Sequence, residues 1–98
     1  MKTYLSCEVR RGQFGAEWAV RGVTVSGAGF SFFAPNEYVE LDKARSNSEG
    51  GLGWIRVEVL EEDEHRALVR LPGQTFENGR TVTVRRDQIE ARESRELV

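Results

Sequence analysis

The stretch Trp54-Ile55-Arg56-Val57-Glu58-Val59-Leu60, followed by Glu61-Glu62-Asp63-Glu64-His65 and then Arg66-Ala67-Leu68-Val69-Arg70-Leu71, decides the fold. Apolar side chains recur at every second position in both flanks: Ile55, Val57 and Val59 in the first, Ala67, Val69 and Leu71 in the second. Successive side chains of a strand point to opposite sides, so a period of two gives each flank one dry face. The polar run from Glu61 to His65 predicts the connection of an antiparallel hairpin. With Leu60 opposite Arg66, Val59 faces Ala67, Val57 faces Val69 and Ile55 faces Leu71, and register agrees with apolar pattern.

Working outward, Leu5, Cys7 and Val9 alternate with Ser6, Glu8 and Arg10, which predicts a strand over 4–10. The glycines of the following Arg11-Gly12-Gln13-Phe14-Gly15 fit a turn. Residues 16–26 predict a longer strand with a slip of phase. Ala16, Trp18 and Val20 are apolar at even positions, Val23 and Val25 at odd ones. A β-bulge at Gly22 would absorb the slip; burial on both faces is the alternative. After a turn at Gly27-Ala28-Gly29, Phe30 and Phe32 alternate until Ala34-Pro35-Asn36 interrupts the ladder. Residues 37–41 fit a short edge strand or one helical turn.

Residues 42–53 are polar, rich in glycine and serine and without period, and predict a long loop between two halves. No internal repeat is visible between those halves. Asn78-Gly79 marks another turn, and Val82 and Val84 alternate in a strand over 81–85. Asp87 followed by Glu90 reads as a capping box, so the C-terminus is expected to be a short docked helix or a frayed tail. The domain reading is one β domain over 1–90 with 91–98 as a polar tail or helix end. The fold expected is mainly β: a single small antiparallel barrel or roll of five or six strands, with a short C-terminal helix as an option. Such an architecture resembles the SH3-like and related small barrels, a likeness that carries no function with it.

The bulk numbers are those of an ordinary globular domain: 98 residues, 39% hydrophobic, 31% charged and a net charge of −2. The lack of a basic excess argues against a protein that grips duplex nucleic acid by phosphate neutralisation. With one cysteine, Cys7, no intramolecular disulfide forms. No apolar run approaches the roughly 20 residues that span a bilayer. A cytoplasmic location and no membrane association are therefore expected.

In the register above, Arg56 lies opposite Arg70 on the outer face and Glu58 opposite Leu68. A strand 81–85 paired alongside would place Arg85 beside Leu68 and Thr83 beside Arg70. Arginines so gathered either turn into water or share an anion. Nine aromatics exceed what a small core needs. Trp18, Phe30 and Phe32 are in phase with it, whereas Phe33, Tyr38, Trp54 and Phe14 are candidates to be exposed. The partner-binding candidates are thus Arg56, Arg70, Arg85, Phe33, Tyr38 and Trp54.

Other features point to structure. The run Glu61-Glu62-Asp63-Glu64 matches no calcium loop and reads as a solvated tip. Cys7 reads as a small core residue, and nothing brings it to His65, the single histidine. Gly50-Gly51-Leu52-Gly53 matches the Gly-x-x-Gly clamp of some RNA binders, but the predicted flanks are strands where that clamp needs helices. No catalytic, cofactor-binding or metal residue is assigned. The expected function is a non-enzymatic module that binds a protein partner, with self-association as a variant. Nucleic-acid binding through the arginine and aromatic face, and a small enzyme or enzyme subunit, are the alternatives.

Overall fold

The computed structural model describes residues 2–12, 15–77 and 79–92. Eight antiparallel strands follow one another: β1 (Lys2–Arg11), β2 (Glu17–Val23), β3 (Gly29–Pro35), β4 (Val39–Asn47), β5 (Gly50–Glu62), β6 (Arg66–Thr75), β7 (Gly79–Arg85) and β8 (Ile89–Arg92). Short 3₁₀ turns over Asn36–Tyr38 and Arg86–Gln88 precede β4 and β8. The sheet runs β3-β2-β1-β5-β6-β7, with β4 added on β5 and β8 on β1. It curls into a half-barrel, and Phe76 N–H donates to Ser31 O at 2.9 Å between its far ends. The mainly β roll expected from the sequence is the observed fold, with eight strands rather than five or six.

The alternating residues form the core. Leu5, Val9, Val20, Phe32, Ile55, Val69, Leu71 and Val84 are fully buried. Trp18, Phe30 and Phe32 sit inside, as their phase predicted. Trp18 Nε1 donates to Asn36 Oδ1 at 2.7 Å, so the indole carries its polar edge inward without loss.

Five expectations need correction. The β5–β6 hairpin exists, but Val59 pairs with Val69 and Glu58 with Arg70, two residues from the expected register. A shift between Val59 and Glu61 absorbs one residue, and Asp63 Oδ1 closes the turn by accepting from His65 and Arg66 N–H at 2.8 and 3.0 Å. The 42–53 loop is instead the β4–β5 hairpin, turning at Ser48 and Glu49. No bulge occurs at Gly22: β2 and β3 stay in register from Glu17–Pro35 to Val23–Gly29. The phase slip is resolved by leaving Val23 and Val25 exposed. Residues 89–92 form a strand rather than a helix; Gln88, not Asp87, accepts the Arg85 N–H through its side chain, at 2.8 Å. Residues 93–98, and any helix over them, lie outside the described residues.

The fifth correction is the internal repeat, which the sequence hides and the pairing reveals. Each half runs through three strands, a 3₁₀ turn and a fourth strand. Leu5 pairs with Ile89, and Ile55 pairs with Val39. Tyr4 pairs with Glu90, and Trp54 pairs with Glu40. Every residue of β1 thus corresponds to the one 50 positions later in β5, and β4 corresponds to β8 in the same way. The fourth strand of each half completes the sheet of the other. β1 and β5 pair with each other about the rung Leu5–Ile55, through which the pseudo-twofold axis passes. The cross-strand pair Glu8–Arg21 in one half recurs as Glu58–Arg70 in the other.

Close approach of β4 explains Gly51 and Gly53 of β5. A Cβ at Gly53 would lie 2.6 Å from Glu40 O. Gly51 has φ +143 and would meet Arg45 O at 2.5 Å. The Gly-x-x-Gly match therefore serves strand packing.

Candidate functional site

The repeat leaves one gap in each half. On β5, β4 pairs as far as Ile55 and β6 begins at Glu58, so Arg56 and Val57 lie between them. On β1, β8 pairs as far as Leu5 and β2 begins at Glu8, so Ser6 and Cys7 lie between them. The two gaps are equivalent in backbone and differ in what fills them.

At the β5 gap a groove of about 490 Å³ opens, lined among the described residues by the cations Lys2, Arg56, Arg70 and Arg80 and by one carboxylate, Glu58. Tyr38 forms one wall, with the Arg56 guanidinium 4.7 Å from its ring centroid. Val57, Val59, Leu71 and Pro72 supply an apolar floor. Arg70 Nη1 meets Glu58 Oε1 at 3.0 Å. Arg80 Nη2 donates to Leu71 O at 3.2 Å. Among the described residues Lys2, Arg56 and Arg80 have no carboxylate partner. Guanidinium groups held without counter-charge on a partly apolar surface favour an incoming carboxylate or phosphate, which they bind through paired N–H donors.

The equivalent groove on β1 is of a different character. It is lined by Arg21 with Glu8 and Glu77, and by Gly22, Val23 and Phe30. Where the first groove has Arg80, this one has Phe30, buried and lying across Gly22. In place of Tyr38 stands Gln88, also buried, which donates to Val23 O at 3.0 Å. Ser6 and Leu52 take the places of Arg56 and Lys2. One copy of the gap is cationic; the other, a groove of about 390 Å³, is edged with acid and has Phe30 lying over Gly22.

Of the six candidates, the structure gathers Arg56, Arg70 and Tyr38 in the cationic groove. Arg56 and Arg70 do not oppose each other; Arg70 faces Glu58. Arg85 lies elsewhere, opposite Arg66, with Nε 3.0 Å from Asp87 Oδ1. Thr83 pairs with Leu68, and Thr81 with Arg70. Phe33, 44% exposed, meets the exposed Phe76 edge-on at 5.6 Å, away from the arginines. Phe14 lies outside the described residues.

Trp54 belongs to a separate cluster. Arg92 at the end of β8 lies across two rings, its guanidinium carbon 4.8 Å from the Tyr4 centroid and 4.4 Å from that of Trp54. Its Nε donates to Glu90 Oε2 at 3.1 Å, and its Nη1 to Glu40 Oε1. Burial works against the charge on Arg92, but Glu90 and Glu40 outweigh it and hold the guanidinium above its usual pKa. Lys2, Arg80 and Arg92 were missed by sequence reading. Lys2 and Arg92 are neighbours only through the β1–β8 ladder, and Arg80 sits beside a turn with no periodic signal.

The remaining residues behave structurally. Cys7 is buried, and desolvation pushes its thiol up to about 12. His65 is exposed at the hairpin tip beside Glu64, remote in environment from Cys7. Among the described residues no three His, Cys, Asp or Glu side chains gather as a metal site, and no helix is long and apolar enough to cross a membrane. Comparison with known proteins returns no family model, no curated protein and no solved structure that matches the chain.

Proposed function

We propose that the protein is a non-enzymatic interaction module whose cationic groove receives an acidic segment of a protein partner. One observation carries the reading: among the described residues four cations face one carboxylate in the β5 groove, in a chain whose net charge is −2. The contrast with the acid-edged groove of the other half supports it, because the shared backbone alone requires no such charge. Carboxylates on an extended peptide suit this site. Arg56, Arg70 and Arg80 offer planar donor forks, and the Val57–Leu71–Pro72 floor accepts the intervening apolar atoms.

Nucleic acid is the weaker reading. Binding a strand requires cations continued along a track and interleaved with open ring faces. Here Arg56 covers a face of Tyr38, Trp54 lies under Arg92, and Phe33 is elsewhere. Surplus acid elsewhere on the molecule would repel a long polyanion over roughly a Debye length of 8–10 Å.

The test is fluorescence anisotropy with a labelled eight-residue Glu/Asp peptide, its Gln/Asn counterpart and a single-stranded oligonucleotide. The acidic peptide is expected to bind in the micromolar range at low salt and to weaken as salt rises. The double charge reversal R56E/R70E is expected to abolish binding while leaving the fold intact. Equal binding by the Gln/Asn peptide, or unchanged binding by R56E/R70E, would overturn the reading; preference for the oligonucleotide would transfer the groove to nucleic acid.

A further inference from the structure

The Arg92 cluster has a symmetry that its occupant lacks. Tyr4 and Trp54 occupy equivalent positions in the two halves, as do Glu90 and Glu40. Each half therefore contributes one ring and one carboxylate about the pseudo-twofold axis, where that axis leaves the outer face of the sheet. The cation in the middle comes from one half only. The residue equivalent to Arg92 is Asp42, which turns away and accepts from Ala44 N–H at 3.0 Å and Arg45 Nε at 2.9 Å. The host is built twice and the guest once.

We propose that the Tyr4/Trp54/Glu40/Glu90 cleft is a guanidinium-recognition site whose resident occupant is Arg92, and that an arginine side chain of a protein partner binds there by displacing it. The chemistry is matched to that group. Two rings present their faces to a delocalised cation within about 5 Å, a distance at which cation–π attraction is effective. Two carboxylates accept from different edges of the guanidinium, a division that a planar fork fills and a compact ammonium does not. With Arg92 in place, the described residues of the cleft still set two negative charges against one positive. Arg92 is also the last residue of a strand of four, paired only through the rung Lys2–Arg92, so its withdrawal breaks one end of the ladder and leaves Leu5–Ile89 intact. The two sites adjoin through the rungs Lys2–Arg92 and Tyr4–Arg56, but this one draws on none of the groove's cations and would stand if that reading failed.

An occupant tethered in the cleft competes with any free ligand, so removing it raises apparent affinity by the reciprocal of the fraction of sites it leaves open. The experiment follows the Trp54 indole N–H resonance of the full chain during titration with N-acetyl-arginine amide. R92A is expected to show a saturable shift, and the unmutated protein one at least tenfold weaker. In the R92A background, E40Q/E90Q is expected to remove it, and N-acetyl-norleucine amide to give none. Tetramethylammonium, a cation without donors, is expected to bind R92A at least tenfold more weakly than the arginine amide; equal binding would overturn the guanidinium assignment. A folded R92A with no saturable shift, or equal affinities with and without Arg92, would overturn the site or the displacement respectively. Should R92A lose its fold, the unmutated protein decides: its Arg92 Nε–H resonance must move as ligand is added, and an unmoved resonance at saturation refutes the exchange.

Discussion

Gly22→Ala tests how tightly Phe30 packs over its glycine. A Cβ at Gly22 would stand 2.5 Å from Phe30 Cζ and 3.0 Å from both Cε atoms, where ordinary contact begins near 3.4 Å. The ring must retreat by about an ångström in a close-packed interior. It has little room, since Phe30 is 4% exposed and stacks on Phe32 with centroids 6.3 Å apart. Overpacking of this kind costs about 1–3 kcal/mol. The stiffer unfolded chain returns about 0.4–1 kcal/mol, because Gly22 does not require a positive φ. The net expectation is a loss between about 0 and 2.6 kcal/mol, centred on about 1.3 kcal/mol, read by urea denaturation followed by circular dichroism. The cycle with Phe30→Leu sharpens the test. Leucine leaves space for the new methyl group, so the double variant should be more stable than additivity predicts by at least about 0.5 kcal/mol. A Gly22→Ala protein more stable than the parent, or strict additivity with Phe30→Leu, would show that the ring does not press on this glycine.

Three further outcomes follow from the same geometry. Asn36→Ala should destabilise the fold by about 1–2 kcal/mol in urea melts, because it leaves the Trp18 indole N–H without its acceptor in a buried position; an unchanged midpoint would mean water replaces the asparagine freely. Cys7 should resist a thiol reagent at pH 8 in the native state and react on unfolding, since burial holds the thiol near 12; labelling of the folded protein at the rate of a free thiol would contradict its place in the core. Glu77 accepts from the Ser31 N–H and hydroxyl at 2.8 and 2.9 Å, and those bonds, the backbone one first, lower its pKa. A lowered folded-state pKa contributes stability that is present above the unfolded value and lost as pH falls through the folded one. Glu77→Gln should therefore flatten the loss of stability below about pH 5, and an unaltered acid limb would show that the Ser31 bonds do not persist in solution.

How far the sequence could be read depended on whether a signal was local. The strands around Val57 and Val69 were legible because alternation is written into each strand separately. Their register was not, because the residue absorbed between Val59 and Glu61 has no mark in the apolar pattern. Residues 42–53 looked like a loop because β4 is largely polar and glycines open β5. Across 42–53 the two strands are held by ladder hydrogen bonds and by close backbone approach at Gly51 and Gly53; the alternating apolar face of β5 begins only at Ile55. The capping-box pattern at Asp87 and Glu90 misled for a related reason. Local propensity favoured helix, while pairing of β8 with the start of β1, across almost the whole chain, favoured strand. The repeat was hidden because few equivalent positions remain identical, among them Glu8 and Glu58, Val9 and Val59, and Arg21 and Arg70. Half of the candidate site was legible for the same reason that its other half was not. Arg56 and Arg70 belong to the hairpin that could be read, whereas Lys2, Arg80 and Arg92 reach their places through connections that only the folded topology makes.

The most direct measurement is a titration of the isotopically labelled protein with the Glu/Asp peptide, followed by amide and arginine side-chain resonances. The account predicts saturable shifts at Tyr38, Arg56, Arg70, Leu71 and Arg80, with the equivalent positions Arg21, Gly22 and Phe30 unmoved. Shifts centred on Arg21 and Phe30, or on Phe33 and Phe76, would place binding elsewhere and contradict the assignment of the cationic groove.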